Sequence, residues 1–230
     1  MNRMVLLIML LVSATSGFAG EEPAVVDWNS PAGKTLRARI PADADYWQLS
    51  TTFVTQSTQT YCSVASAVTV LNAMPVRKPV DPVYAPYPYF TQRNYFTPEV
   101  IKVISPQTVL AIGMTRTQMA GTLMLHGVNV KNIAGDTLND ERLRSLLRKT
   151  LGDDGQFVLV NYLRSSLAQE GGGHWSVLAA FDAQSDRVLI LDVARYKYAP
   201  VWVGIGTLRQ AIATIDTTSN KARGLVIVTR

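Results

Sequence analysis

Cysteine and histidine are scarce in this chain: among 230 residues, one is cysteine and two are histidine. A structural zinc site needs four ligands drawn mainly from these two residue types, so the composition argues against such a site. A single cysteine, Cys62, also leaves an unpaired thiol, which is unusual in an exported protein. The sequence therefore predicts no metal site and one free thiol that needs an explanation.

Long apolar runs and clusters of basic charge are also missing. Beyond residue 12, no stretch approaches the length of about 18 apolar residues that a membrane-spanning helix requires. The formal net charge is +5, but the basic residues are dispersed and do not form the basic stripe of a nucleic-acid-binding surface. We therefore expect neither nucleic acid nor a membrane as a partner. Mild basicity suits an anionic small substrate.

The N-terminus has the pattern of an export signal. Arg3 is followed by the apolar run Met4 to Val12 and then by small residues that end at Ala19. We expect residues 1–19 to be a signal peptide and residues 20–230 to form a single catalytic domain of a secreted, periplasmic protein. An uncleaved N-terminal anchor is the alternative. A free thiol in an oxidising compartment is easier to understand if the sulfur has a chemical role.

The cysteine lies where a loop is expected to become a helix. Val64, Ala67, Val68 and Leu71 recur at helical spacing after Cys62, which predicts a helix with one apolar face and polar residues on its other faces. A thiol at a helix N-terminus lies near the positive end of the peptide dipoles, which favours the thiolate. A small buried core residue is the alternative for a lone cysteine.

The rest of the chain predicts an α+β fold. Helices are expected over Thr117–Gly127, Asn139–Leu151 and Leu208–Ile215, and an irregular segment packed over the core by its aromatic residues is expected over Pro75–Pro98. Helices followed by a run of antiparallel strands indicate the α+β class. The expected strands, the second and third of which form a hairpin around residues 182–186, are Phe157–Leu163, Trp175–Phe181, Arg187–Val193 and Leu225–Val228.

Two polar residues of this hairpin complete a candidate catalytic set. His174 follows three glycines at the start of one strand, and Asp192 lies near the end of the next strand. Pairing of the two strands brings the carboxylate within reach of the imidazole. With Cys62, these residues have the types and chain order of a papain-like triad: a nucleophile, a general base and the group that orients the base. A surface-turn histidine and a strand-capping aspartate are the alternatives.

One histidine and three methionines could suggest a further functional site, but we interpret them as structural residues. His126 precedes a glycine near a predicted helix end, where a cation complements the helix dipole, and we assign it no chemistry. Met114, Met119 and Met124 could suggest a site for a soft metal, but core packing is the better interpretation.

Three segments resemble the phytochelatin synthase family. These are the Gln56–Ala73 region around Tyr61-Cys62, the Gly173-His174-Trp175-Ser176 run and, most specifically, the segment Asp192–Tyr198 with the sequence Asp-Val-Ala-Arg-Tyr-Lys-Tyr. The resemblance covers roughly residues 35–230. It implies a papain-like cysteine protease fold, in which a helical N-terminal half with the nucleophile helix packs on an antiparallel β-sheet.

The resemblance also implies an activity on glutathione. The cysteine takes up the γ-Glu-Cys acyl group with release of glycine, and then passes it to water or to a second glutathione, which gives γ-Glu-Cys or a phytochelatin. At the matching positions, Cys62, His174 and Asp192 are the implied triad and Gln56 the implied oxyanion-hole amide. The implied substrate-binding residues are Asn161, Gly173, Asp216 and Arg223, where Asp216 suits the ammonium group and Arg223 the carboxylate of the γ-glutamyl moiety. Arg195 and Tyr198 either shape the acceptor side or pack.

Departures from the plant and yeast pattern bear on metals. Those family members carry a cysteine-rich C-terminal region that is implicated in metal sensing, and this sequence shows none. We expect no required cofactor, and we expect cadmium or zinc to act as the glutathione thiolate complex that serves as substrate. The short form resembles bacterial members, so we expect hydrolysis of glutathione to dominate over chain extension. The sequence is compatible with a homodimer.

Two other functions remain compatible with the sequence. A general papain-like cysteine peptidase or amidase would share the triad but cleave ordinary α-peptides. A non-catalytic protein that binds glutathione or a metal thiolate would leave its ligand intact. Analysis of the products formed from glutathione separates all three.

Overall fold

An antiparallel sheet with helices on both faces forms the body of the protein. The computed structural model describes residues 23–153 and 155–230, so the proposed signal peptide lies outside the described residues. The helices are α1 (Pro31–Arg37), α2 (Tyr46–Thr52), α3 (Cys62–Ala73), α4 (Pro98–Val103), α5 (Pro106–Ile112), α6 (Arg116–Met124), α7 (Asp140–Thr150) and α8 (Ile205–Ala213). The strands are β1 (Val25–Asp27), β2 (Asn129–Ala134), β3 (Gln156–Leu163), β4 (Gly173–Asp182), β5 (Arg187–Leu191), β6 (Val201–Gly204), β7 (Ile215–Asp216), β8 (Lys221–Ala222) and β9 (Gly224–Thr229).

Seven strands pair in the order β1-β6-β5-β4-β3-β9-β2, and every neighbouring pair is antiparallel. The α+β prediction is confirmed, together with the four predicted strands and the β4–β5 hairpin. In this hairpin Val177 pairs with Leu191, and the register shifts near Ala180. The sequence prediction missed β1, β6 and the separate β7–β8 ribbon, which have two to four residues each, and β2, which has six residues but no regular alternation of buried and exposed positions.

Alternate side chains of β4 divide the core between the two faces of the sheet. Trp175 and Val177 belong to the cluster that contains α3, whereas Leu178 belongs to the cluster on the opposite face. This alternation is the two-residue period of a strand covered on both sides. Helices α7 and α8 supply the opposite layer through residues such as Leu147 and Leu208. None of the helices in the described part of the chain is long and apolar enough to cross a membrane.

Helix α3 corrects one prediction. It begins at Cys62 as expected, but all twelve of its residues are buried, so the expected polar outer face does not exist. Ser66 and Thr69 satisfy their hydroxyls by donating to the carbonyls four residues earlier, and Asn72 exchanges two hydrogen bonds with the backbone of Phe90. Small polar side chains that bond within the helix or to a neighbouring segment can be buried at little cost. Helix α3 is therefore a central helix of the fold.

The proline-rich segment agrees with the prediction only in part. Residues 76–97 contain no helix or extended strand, as expected. Phe90 and Tyr95 are buried, but Tyr84 and Tyr87 are exposed, so only some of its aromatic residues pack over the core. Asp81 organises the segment by accepting hydrogen bonds from Thr91 and Arg93.

Candidate active site

Cys62 lies at the first position of α3, where the first-turn N–H groups have no acceptor within the helix. Its thiol lies within interaction range of the His174 ring and of the backbone N–H groups of Trp175 and Ser63. Burial alone would raise the pKa of the thiol, but the charge of His174 and these contacts outweigh it and lower the pKa. The arrangement therefore favours the nucleophilic thiolate.

His174 connects the thiol to Asp192. Its Nε2 lies 2.9 Å from Asp192 Oδ1, which leaves Nδ1 as the ring nitrogen for Cys62. Burial acts to lower the pKa of His174, but the Cys62 thiolate and the Asp192 carboxylate raise it above its usual value. The strands deliver this geometry, because the β4–β5 register places the start of β4 beside the residues that follow β5. Both shifts favour the thiolate–imidazolium form of the Cys62–His174 pair.

Asp192 is fully buried and is surrounded by donors. Besides His174, it accepts two hydrogen bonds from Arg164, at 2.8 and 3.0 Å, and one from the backbone N–H of Ala194 at 2.8 Å. Tyr162 donates a longer bond of 3.4 Å. Burial acts to raise the pKa of Asp192, but His174 and Arg164 together hold it well below its ordinary range. The carboxylate therefore stays ionised and can orient the imidazole.

One cavity opens on the thiol side of this pair. It has a volume of about 210 Å³, and Cys62 lines it together with Asn161, Gly173, Asp216 and Arg223. Arg223 Nη1 donates to Asn161 Oδ1 at 2.8 Å, and its Nη2 lies 3.9 Å from Asp216 Oδ1. All four residues assigned to the γ-Glu-Cys moiety are thus neighbours of the thiol. We call this the thiol-side cavity.

Gly173 has a steric role in this cavity. A Cβ atom at this position would lie 2.1 Å from Arg223 Nη1, so the guanidinium occupies the space that any side chain would need. Arg223 is 7 % exposed. Because position 173 is glycine, the buried Arg223 guanidinium can lie directly against the backbone next to His174 and line the cavity.

A second cavity of about 450 Å³, the histidine-side cavity, shares Gly173 with the first. Its lining includes His174, Gln56, Arg164 and Lys197. Gln56 Nε2 donates to the Thr58 carbonyl at 2.8 Å and to the Tyr196 hydroxyl at 2.9 Å. The predicted oxyanion-hole residue therefore reaches the site, but both its N–H groups already have acceptors within the protein.

Arg195 and Tyr198 line neither cavity. The Arg195 guanidinium stacks 5.1 Å from the ring centre of Phe53. The Tyr198 ring packs against the Arg164 guanidinium at 4.8 Å, and its hydroxyl accepts from the Glu170 N–H. Of the two roles that the sequence left open, these contacts match packing, and for Tyr198 this packing supports the arginine that binds Asp192.

His126 corrects a smaller expectation. Its ring lies among aromatic rings, 4.8 Å from Tyr95 and 5.2 Å from Phe90 between centroids. Burial lowers the pKa of His126 to about 4, so the ring is neutral at pH 7 and cannot act as the cation expected at a helix end. Met114 and Met119 are buried in the core as predicted, whereas Met124 is 55 % exposed.

Arg164 is the main site residue that sequence reasoning missed. Its position one residue after β3, ten residues before His174, gives no sign that it pairs with Asp192. The available signal was weak: a lone arginine that follows an apolar strand is usually exposed, yet this one is 4 % exposed. Tyr196 was quoted only as part of the family segment, and Gln92, which bonds the backbone next to Gln56, was also missed.

Comparison with known proteins finds similar sequences over most of the chain. A sequence model of phytochelatin synthase matches residues 21–225. The chain is 29 % identical over 211 residues to glutathione gamma-glutamylcysteinyltransferase 3 of Lotus japonicus, an alignment that covers 90 % of the chain and 43 % of the relative. It is 30 % identical to transferase 1 of Triticum aestivum (90 % and 41 %) and 22 % identical over 204 residues to the transferase of Schizosaccharomyces pombe (87 % and 48 %). It spans less than half the length of these relatives. Since the match covers most of its length, the chain belongs to the phytochelatin synthase family.

Proposed function

We propose that this protein transfers the γ-Glu-Cys acyl group of glutathione through a thioester on Cys62. The observation that carries the proposal is the Cys62–His174–Asp192 set, in which His174 is hydrogen-bonded to Asp192, beside a cavity lined by Cys62, a partly buried carboxylate and a buried guanidinium. The relatives are named for transfer of this group from glutathione. The activity is glutathione γ-glutamylcysteinyl transfer, with water or a second glutathione as acceptor.

The first half of the reaction uses the thiolate–imidazolium pair. The Cys62 sulfur attacks the carbonyl carbon of the Cys–Gly bond, and the electron pair of the carbonyl moves to its oxygen. The backbone N–H of Cys62 and the amide of Gln56 are the proposed donors to that oxyanion. Collapse of the intermediate breaks the carbon–nitrogen bond, and His174 gives its proton to the nitrogen of the departing glycine.

The second half regenerates the thiol. Neutral His174 removes a proton from water, or from the amino group of a second glutathione, as that group attacks the thioester carbonyl. The carbon–sulfur bond breaks, the sulfur leaves as the Cys62 thiolate, and His174 keeps the proton, which restores the thiolate–imidazolium pair. Asp192, held by Arg164, keeps the imidazole oriented throughout. The products are γ-Glu-Cys with water and a phytochelatin with glutathione.

The thiol-side cavity suits the donor glutathione by charge. A γ-glutamyl group carries an α-ammonium and an α-carboxylate side by side, and Asp216 and Arg223 lie side by side at 3.9 Å. This spacing leaves the pair loose enough for each group to bind the opposite charge on the ligand. Asn161 already bonds Arg223 and would hold the guanidinium toward the carboxylate.

Three further elements of the proposal concern the setting of the reaction. No resident cofactor takes part in these steps, and cadmium or zinc would enter as a glutathione thiolate complex, that is, as substrate. The N-terminal pattern over residues 1–19 supports export to the periplasm. Lys197 at the edge of the histidine-side cavity adds a positive charge that suits an anionic acceptor.

Mass spectrometry of the protein after brief mixing with glutathione tests the proposal. We expect an adduct of about 230 Da, the mass of one γ-Glu-Cys acyl group per chain, and free glycine in solution. Cys62→Ala and Cys62→Ser should lack the adduct and lose activity while keeping the unfolding temperature of the wild type. An active Cys62→Ala variant would refute the mechanism.

A pair of isomeric substrates separates the alternatives. Glutathione and its isomer α-Glu-Cys-Gly differ only in which carboxyl group of glutamate forms the amide. The proposed donor site should favour glutathione in kcat/KM by at least about a hundredfold, because the isomer misplaces both charged groups. Equal cleavage of the two would favour a general peptidase, and intact glutathione after long incubation would favour a binding protein.

A further inference from the structure

We propose that the Tyr196 hydroxyl occupies the oxyanion-binding position of Gln56 in the substrate-free enzyme, and that the substrate carbonyl oxygen displaces it. Tyr196 is thereby a gate on the oxyanion site. This inference deepens the proposed function and rests on acyl transfer at Cys62. The side chain is 59 % exposed and lines the histidine-side cavity with Gln56 and His174.

The hydrogen-bond count at Gln56 leads to this conclusion. A primary amide has two N–H groups, and those of Gln56 donate to the Thr58 carbonyl and to the Tyr196 hydroxyl. Rotating the amide by half a turn would bring its oxygen against the Thr58 carbonyl, so the present orientation is the one chemistry allows. The oxygen, Oε1, is buried and has no partner within the described residues. A developing oxyanion can therefore bind Gln56 only by replacing one of the two acceptors.

Of the two acceptors, Tyr196 is the one that can leave. Thr58 belongs to the same short loop as Gln56, and the backbone of that loop is fixed. Gln56 N–H donates to the Val193 carbonyl at 2.9 Å, and Gln92 bonds both Ser57 N–H and the Thr55 carbonyl. Across residues 23–153 and 155–230, the Tyr196 hydroxyl bonds only Gln56.

The exchange favours the transition state. A phenol oxygen is a neutral acceptor, whereas the tetrahedral intermediate presents a charged oxygen, and a hydrogen bond to a charged group is stronger. Displacement therefore favours the intermediate more than the bound substrate, whose carbonyl is also neutral. Before the substrate binds, the phenol keeps a buried amide donor from remaining unpaired.

Two reagents that react with Cys62 by different chemistry test the gate without glutathione. With p-nitrophenyl acetate, the sulfur bonds the acetyl carbon through an oxyanion intermediate, and p-nitrophenolate leaves with the electron pair of the broken ester bond. With iodoacetamide, the sulfur displaces iodide from a saturated carbon, and no oxyanion forms. In Tyr196→Phe we expect acetylation to become about three- to tenfold faster, the effect of one neutral hydrogen bond, and alkylation to stay unchanged.

A matched variant and a second background sharpen the test. Tyr87→Phe removes a hydroxyl from an exposed tyrosine of the proline-rich segment and should change neither rate. In a Gln56→Ala background, adding Tyr196→Phe should have no effect on acetylation. Unchanged or slower acetylation of Tyr196→Phe, an equal rise with both reagents, or an effect that persists without Gln56 would each overturn the gate. If the acetylation pattern holds but glutathione yields no adduct, the proposed substrate falls and the gate stands.

Discussion

A single buried carboxylate, that of Asp192, serves two cations in this site. It binds Arg164 permanently and His174 in its protonated form. Without Arg164, the carboxylate would be less firmly ionised, and without the carboxylate, Arg164 would be a buried charge with fewer acceptors. The charge on the catalytic imidazole therefore depends on a residue that contacts neither the thiol nor, in our proposal, the scissile bond.

Replacing Asp192 by Asn should narrow the pH range of activity from its alkaline side. The thiolate–imidazolium pair exists between the pKa of Cys62, below which the thiol is protonated, and the pKa of His174, above which the imidazole is neutral. Burial lowers the His174 pKa, and Cys62 and Asp192 raise it, so loss of the carboxylate should move the upper limit to lower pH. We expect activity at neutral pH to fall at least about a hundredfold, the lower end of what a misplaced general base costs.

The value of kcat/KM for glutathione measured against pH follows this change directly, because acylation needs both the thiolate of Cys62 and the protonated imidazole of His174. The acid limb, which reports Cys62, should move less than the alkaline limb. An alkaline limb that stays in place would mean that Asp192 does not sustain the charge on His174.

Gly173→Ala should impair substrate binding more than folding. The new methyl group would push the Arg223 guanidinium away from Asn161, and a flexible side-chain end can yield without unfolding the sheet. We expect KM for glutathione to rise at least about tenfold, since a charge-assisted bond to the substrate is lost, with a smaller change in kcat. Gly121→Ala, at a helix position with open space around it, is the matched control and should leave KM unchanged.

At the scale of elements, the proline-rich segment holds the loop that contains Gln56 in place. Gln92, in the proline-rich segment, bonds Ser57 N–H at 2.9 Å and the Thr55 carbonyl at 2.8 Å, on either side of Gln56. The segment itself is ordered by hydrogen bonds to the buried Asp81. The aromatic and proline-rich segment thus holds the backbone on both sides of Gln56, the proposed oxyanion donor.

Gln92→Leu should therefore weaken oxyanion stabilisation without altering the thiol. With both backbone bonds gone, the Gln56 amide is positioned less well, and we expect p-nitrophenyl acetate to react about three- to tenfold more slowly. Alkylation by iodoacetamide should be unchanged. Tyr87→Phe, which alters the same segment at an exposed side chain, serves as the comparison. Equal slowing with both reagents would point to a shifted α3.

The sequence predicted elements well where one interaction decides the outcome. The 182–186 turn defines the hairpin, and the hairpin brings His174 to Asp192, so their proximity followed from strand pairing alone. The Arg164–Asp192 and Gln56–Tyr196 contacts did not, because they join residues 28 and 140 positions apart whose side-chain directions depend on the finished packing. Helix α3 was predicted in place but with a false polar face, since burial from several sides requires the neighbours α2, α6 and the sheet.

At the scale of the molecule, the two cavities meet at the Cys62–His174 pair and suggest separate places for the acyl group and its acceptor. Transfer to a second glutathione must outcompete water, which requires an acceptor held at high effective concentration. In the histidine-side cavity, the arginine is already bound by Asp192, and Lys197 bonds the Glu170 carbonyl. The two cations that could bind an acceptor glutathione in this cavity, Arg164 and Lys197, are thus already bonded to protein groups.

We therefore predict that hydrolysis dominates. At millimolar glutathione, γ-Glu-Cys and glycine should be the main products of the first turnovers, with phytochelatin formed slowly. Quenched-flow sampling with mass spectrometry measures the ratio, with and without cadmium. A majority of the (γ-Glu-Cys)₂-Gly product would show that the acceptor site is better formed than these contacts indicate.

The complete burial of α3 has a consequence for the sequences this fold tolerates. In α7, inward positions such as Leu143 and Leu147 alternate with exposed ones, so a saturation mutagenesis library scored for soluble protein should show tolerance rising and falling with the helical period. In α3, every position faces protein, so the same library should show uniform intolerance to large or charged residues from position 62 to position 73. Among the helices that the structure describes, the one that begins at Cys62 would then tolerate the least sequence variation.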